Sequence, residues 1–394
     1  MEFVIKQAAL KEVLGFVQGV VERKSTIPIL SNILIESLGE NSIRIVGTDL
    51  DVTVRCDAEA DVKKPGAMCV QAKKLFDLAR NLNSETAVFK KLESEWVSVT
   101  AGRGKFRLAG TSREQFPEIP IFKSAPLKLP AEVFNYFIRH TAFAITNEQS
   151  RFTLSGAKFI LGDGKARMVT TDGHRLAYIE RSADTASDAK MDALIPKKAL
   201  LELVKISGES GEDVSFGEDQ NHIYFELDGR LLITRKLSGN FPNYEMVMPK
   251  DNDRVATFDL EDMKGAVRRV SLMADERNRS IRLTVREGEI ELSAQSSEEG
   301  EGNEVVPAEY AGEETTLGFN WQYLQEFLNV ISAVQTGDAE AASTENDGDK
   351  VRVKESVSPT RISFEFKDAN AGTQLRIAGD SFYDYRYVVM PLRV

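Results

Sequence analysis

The stretch Thr170-Thr171-Asp172-Gly173-His174-Arg175-Leu176-Ala177-Tyr178 has a partial echo at Val46-Gly47-Thr48-Asp49-Leu50-Asp51-Val52-Thr53-Val54. Alone, this stretch reads as a strand end that delivers catalytic groups, because Asp, His and Arg fall within the four residues 172–175 that follow the apolar Met168-Val169 and two threonines. A hydrolase or nuclease using Asp172 and His174 is one reading. Acid and base work needs further partners within hydrogen-bond reach, and no second carboxylate cluster accompanies the pair. The echo keeps the Thr-Asp step but has no His or Arg after it. A scaffold feature is repeated, and the chemistry-bearing residues are not.

Working outward, the repeat extends over the whole chain. Apolar residues at helical spacing predict helices over windows 7–24, 71–82, 130–144, 196–206, 259–271 and 320–335, with Pro130 and Pro196 in first turns. Short alternating runs between them, such as SIRIVGT (42–48), ARMVTTD (166–172) and SIRLTVRE (280–287), predict strands. Helix, strands, helix, strands recurs three times, each pass of about 125 residues. Each pass closes on an echoing loop: Gln115-Phe116-Pro117-Glu118, Asn240-Phe241-Pro242-Asn243 and Ser381-Phe382-Tyr383-Asp384. The expected fold is α+β, with three modules at 1–124, 125–250 and 251–394. A small, acidic insertion at 337–349 reads as a loop within the third.

Composition narrows the function. With 42% apolar and 28% charged residues over 394 positions, the chain reads as globular and multidomain. No apolar run approaches a membrane span and MEFVIKQAALKEV is not a signal peptide, so a cytoplasmic protein is expected. Cys56 and Cys69 are expected unpaired. His140, His174 and His222 lie too far apart for a legible metal site, and neither a phosphate loop nor a nucleophile elbow is present. No cofactor or metal is expected. A net charge of −11 argues by itself against nucleic-acid binding. Its distribution argues otherwise: the six helical windows carry +4 and the remainder −15. One basic surface of helices, poor in aromatics, suits duplex phosphates better than stacked single-stranded bases.

Several motifs carry a family resemblance: Ile27-Pro28-Ile29-Leu30-Ser31-Asn32, Gly47-Thr48-Asp49-Leu50, Thr171-Asp172-Gly173-His174-Arg175-Leu176, Phe241-Pro242-Asn243-Tyr244 and Val388-Val389-Met390-Pro391-Leu392-Arg393. With these the chain resembles, over essentially its full length, the bacterial sliding clamps, the beta subunits of DNA polymerase III. The resemblance implies the DNA clamp fold, three modules each with two channel-lining helices and outer antiparallel sheets, in a head-to-tail homodimeric ring around duplex DNA. It implies a non-catalytic processivity factor that docks the polymerase III catalytic subunit, the clamp loader, other polymerases and repair proteins. A specialised role in repair or plasmid replication is an alternative within the family.

The resemblance also assigns residues. A peptide-binding pocket would take Arg151, Leu154, Thr171, Gly173, His174, Arg175, Leu176, Pro242, Val247, Tyr323, Val388, Met390, Pro391 and Leu392. Met246 and Leu392 depart from the arginine and methionine frequent in the family. DNA contacts would come from Arg23, Lys24, Lys73, Lys74, Arg80, Gln149, Lys197, Lys198, Lys205 and Arg268. The subunit interface would set Arg103, Lys105, Phe106, Arg107 and Leu108 against Leu272, Met273, Glu298, Glu301 and Glu304.

Overall fold

Six helices form where the periodicity places them: α1 (Gln7–Val17), α2 (Ala72–Arg80), α3 (Ala131–Thr141), α4 (Lys197–Ser207), α5 (Leu260–Val270) and α6 (Trp321–Ala341). A computed structural model describes residues 1–22, 26–121, 125–148, 150–183, 189–208, 211–297, 300–341 and 359–393. Each helix follows a strand without an intervening turn: Glu2–Lys6, Ala67–Gln71, Leu127–Pro130, Met191–Pro196, Arg254–Asp259 and Thr315–Asn320. Alternate helix starts are 124 to 129 residues apart. The repeating unit is therefore a strand–helix half-module, used six times.

Those six strands are what periodicity overlooked. The strand Glu2–Lys6 leads directly into α1, which stops at Val17 before the turn at 18–20, short of the expected window. Pro130 and Pro196 end strands rather than sit in first turns. Pro196 keeps extended backbone (ψ 143°) as the N-cap of α4, and a proline there sacrifices no helical hydrogen bond. Asp259 caps α5 conventionally, its carboxylate accepting from Glu261 N (2.9 Å) and Asp262 N (3.1 Å), which stabilises by about 1 kcal/mol. Residues 337–341 of the expected loop belong to α6. The remainder of that loop lies outside the described residues, as do Arg23, Lys24, Gln149 and Glu298.

The chain divides into two compact units, residues 1–135 with 195–237, and residues 136–194 with 238–394. The first holds a five-stranded sheet, ending on strand Gly104–Leu108, and a nine-stranded sheet. In the latter, Val52–Glu59 pairs antiparallel with Arg230–Arg235, for example Val54 opposite Leu232. The second unit holds one twelve-stranded sheet, in which Arg175–Ser182 pairs antiparallel with Asp384–Val389, Leu176 facing Val388. Alternation decides which face is buried. In Ser280–Arg286, for instance, Ile281, Leu283 and Val285 point into the core while Arg282 does not.

Aromatic contacts fill both cores. Phe134 meets Phe216 edge-on at 5.2 Å in the first unit, and Phe327 stacks on Tyr387 at 5.0 Å in the second. His140, 1% exposed, stacks on Tyr136, and its Nδ1 lies 2.7 Å from Tyr136 O. Burial pushes its pKa down to about 4. The native state therefore binds this proton later than the unfolded chain does. Stability contributed by neutral His140 is present above about pH 6.5 and lost as pH falls toward 4, on the order of 3 kcal/mol at the limit. Denaturant melts between pH 7 and 4.5 should show a shallower pH dependence for His140→Phe than for wild type, and identical dependences would refute the assignment.

Candidate functional site

The Thr-Asp turn is a hydrogen-bonded device. Asp172 Oδ1 accepts from His174 N (2.9 Å) and Arg175 N (3.1 Å), and Oδ2 accepts from Arg175 Nε (3.0 Å). Thr171 Oγ1 donates to Arg175 O (2.6 Å) and accepts from Gly173 N (3.1 Å). Gly173 sits at φ +92°, where glycine is favoured. The echo folds the same way: Asp49 Oδ1 accepts from Asp51 N and Val52 N at 3.0 and 2.7 Å, and Leu50 takes φ +81°. Asp172 thus has its carboxylate engaged by three donors from its own turn, which is work for an Asx turn and not for a general base.

Arg175 is the centre of the site. Its side chain is 7% exposed and lies over the Tyr323 ring at 4.5 Å. Nη2 donates to Phe143 O (2.8 Å), and Nη1 meets Glu326 (2.7 Å) and Tyr387 Oη (3.4 Å). Burial opposes its charge, but Tyr387 and Glu326 more than compensate and raise its pKa above the ordinary arginine value.

Beside this turn opens an apolar pocket of about 120 Å³, lined by Leu154, Thr171, Gly173, His174, Arg175, Leu176, Pro242, Tyr244, Val247, Val388 and Met390. It is smaller than the roughly 300–1,000 Å³ of drug-sized sites, so it suits an anchoring side chain. His174 is exposed at its rim, and His174 O accepts from Met390 N (3.1 Å), which holds the C-terminal strand beside the turn.

Ten of the residues assigned by resemblance line this pocket. Arg151 supports it from outside, with Nη1 donating to Asp172 O at 2.8 Å. Tyr323 is the platform beneath Arg175. Pro391 and Leu392 are not in the lining, and Leu392 N instead donates to Gly318 O (2.8 Å). Tyr244 was missed, although the aromatic two places after Pro242 was visible in the Phe-Pro motif.

The basic residues divide. Lys73, Lys74 and Arg80 are exposed on α2, as is Arg268 on α5, and Lys197 is half-buried. Lys205 Nζ pairs with the buried Glu202 (2.6 Å). Lys198 Nζ bonds Asp49 Oδ2 and Val20 O, so its ammonium clasps the first copy of the turn rather than standing free for phosphate. Among the described residues no cluster of three or more His, Cys, Asp or Glu could hold a metal, and no helix is long and apolar enough to cross a membrane.

The residues expected at the interface, as far as they are described, lie on or beside two strands with unpaired stretches among the described residues. Gly104–Leu108 ends its sheet, with Lys105, Phe106 and Arg107 exposed. Gly300–Glu309 pairs along its length with Glu289–Ser296, while on its other side only Ala308 and Glu309 pair with Arg254–Asp259 among the described residues. Leu272 is 67% exposed nearby in sequence, Met273 packs at Gly302, and Glu304 pairs with Arg269 (2.5 Å).

Comparison with known proteins agrees with this geometry. Models of the DNA polymerase III beta subunit match at residues 1–120 (N-terminal domain), 128–243 (central domain) and 245–340 (C-terminal domain). The chain is 31% identical to the beta sliding clamp of Pseudomonas aeruginosa and 30% identical to that of Caulobacter vibrioides, each covering 100% of both chains. Among solved structures it is similar to the Pseudomonas aeruginosa clamp bound to griselimycin (TM-score 0.87, 29% identity, 100% of both chains). It is likewise similar to the Caulobacter crescentus clamp (TM-score 0.86, 30% identity, 100% of both chains). The repeated half-modules, the turn and the full-length matches lead to one conclusion: the chain belongs to the bacterial beta sliding clamp family, the beta subunits of DNA polymerase III.

Proposed function

We propose that this DNA sliding clamp, a non-catalytic processivity subunit, works as a head-to-tail homodimeric ring of six modules, three per chain (1–124, 125–250 and 251–394). The observation that carries this reading is a pairing rule. In each case where a partner is present, the third strand after one module's first helix joins the third described strand after the next module's second helix: Val52–Glu59 with Arg230–Arg235, and Arg175–Ser182 with Asp384–Val389. Among the described residues the third application leaves Gly300–Glu309 without such a partner, and Gly104–Leu108, the equivalent strand of the first module, stands at the edge of its sheet. A second copy of the chain supplies each with the other.

Composition fits that join. Arg103, Lys105 and Arg107 would face Glu301 and Glu304, and Phe106 and Leu108 would cover Leu272 and Met273. Inside the ring, Lys73, Lys74, Arg80, Lys197 and Arg268 would meet duplex phosphates without base readout, which permits sliding. The pocket would seat apolar peptide segments of the polymerase III catalytic subunit, the clamp loader, other polymerases and repair proteins, and griselimycin in the same place. The setting would be the cytoplasm, at the nucleoid, and the work needs no cofactor. Light scattering at micromolar concentration tests the ring: twice the 43.8 kDa chain mass is expected, and a monomer would overturn it.

A further inference from the structure

We propose that Glu326, on α6, is a positioning residue for the pocket: by holding the Arg175 guanidinium it sets the wall that a ligand meets. The inference rests on the pocket being the ligand site.

Arg175 reaches its partners with all three guanidinium nitrogens. Nε is taken by Asp172 Oδ2 (3.0 Å) and Nη2 by Phe143 O (2.8 Å). Nη1 has Glu326 Oε2 at 2.7 Å, with Tyr387 Oη as a longer contact at 3.4 Å. The plane so fixed lies on the Tyr323 ring, one position along the α6 face from Glu326. Tyr387 Oη in turn donates to Tyr323 O (3.0 Å), so helix and C-terminal strand frame the same cation. Glu326 is therefore the principal acceptor that α6 itself offers to Nη1. Without it, a nearly buried cationic group keeps one short bond fewer, and reorienting toward water becomes favourable. Arg175 follows directly on Gly173 and His174 in the turn, and all three line the pocket. Turning its head group disturbs the wall.

The first copy of the turn supports a positioning role through a reversal of charge. There Asp49 uses Oδ1 to shape the turn and Oδ2 to take Lys198 on α4, while Val52 stands where Arg175 stands in the second copy. In the second copy the turn's own Arg175 occupies Asp172 Oδ2, and the helix supplies the acid. Both turns are clasped to a helix. Only the second places a cation, held from both sides, in a ligand-facing wall.

Calorimetric titration of the full chain with griselimycin tests this. Glu326→Ala should weaken binding about 10-fold, because the competent wall is only fractionally populated. Glu326→Gln, which keeps an acceptor, should stay within about 3-fold, and both variants should melt within about 2 °C of wild type, as surface changes do. Wild-type affinity in Glu326→Ala, or equal weakening in both variants, would overturn the positioning role. Glu326→Gln keeps the comparison readable should Glu326→Ala loosen α6. Val247→Asp is the separate control. If it binds griselimycin like wild type, or if wild type does not bind, the pocket reading fails and the inference falls with it. If it loses binding while Glu326→Ala does not, the inference alone fails.

Discussion

Leu272→Asp is expected to turn the dimer into a monomer at micromolar concentration, raising the dissociation constant at least about 1,000-fold, or about 4 kcal/mol. Leu272 is 67% exposed in the single chain and adjoins half-buried Met273, and in the proposed ring Phe106 of a second copy would cover it. Covering a leucine contributes roughly 1.5–3 kcal/mol. An aspartate there forfeits that and adds a carboxylate that must be desolvated against the apolar side chains proposed to cover it. Because the side chain is exposed in the monomer, the melting temperature of the variant chain should change little beyond the loss of dimer linkage. Sedimentation of Leu272→Asp as a dimer would show that the two open edges are not joined through this patch.

Much of this was legible in the chain. Six helices announced themselves because each keeps buried residues at helical spacing, as Ala72, Leu75 and Ala79 do on α2. The strands immediately before them did not. They are four to six residues long, and those ending on Lys6, Gln71, Pro130 and Pro196 run straight into helix without Gly, Asn or Asp to mark a boundary, whereas Asp259 and Asn320 do mark theirs. The pocket was legible as motif rather than as physics: nothing in the spacing of Leu154, Leu176, Val247 and Val388 says that they meet, because antiparallel pairing across more than 200 residues brings Leu176 opposite Val388. Nor could charge alone show that Lys198 is committed to Asp49, since a clasp and a phosphate contact call for the same residue. Tyr244 and Glu326 are the functional candidates the sequence left out, one visible in a motif and the other only in three dimensions.

Val247→Asp carries the second large effect. Val247 is 50% exposed on the pocket rim, where it faces a lining that is apolar apart from Thr171, His174 and Arg175. A carboxylate placed there meets each incoming apolar side chain with an unsatisfied charge, and binding of griselimycin should weaken about 100-fold, or about 3 kcal/mol. The chain's fold and dimerisation should be unaffected, since Val247 lies outside both open edges. Polymerase stimulation and loader-driven assembly on DNA would therefore be lost together while the chain still dimerises. Parallel loss of griselimycin binding and of the dimer would mean that the two functions are not separable at this pocket.

Encirclement is the central claim, and topology tests it most directly. Clamp assembled on singly nicked circular duplex by a clamp loader with ATP should co-elute with the DNA at a salt concentration that strips ordinary phosphate contacts. Cutting the circle once with a restriction enzyme should then release it, because a ring held by topology slides off a free end. Clamp that remains bound after linearisation would contradict encirclement and point to attachment by contacts alone.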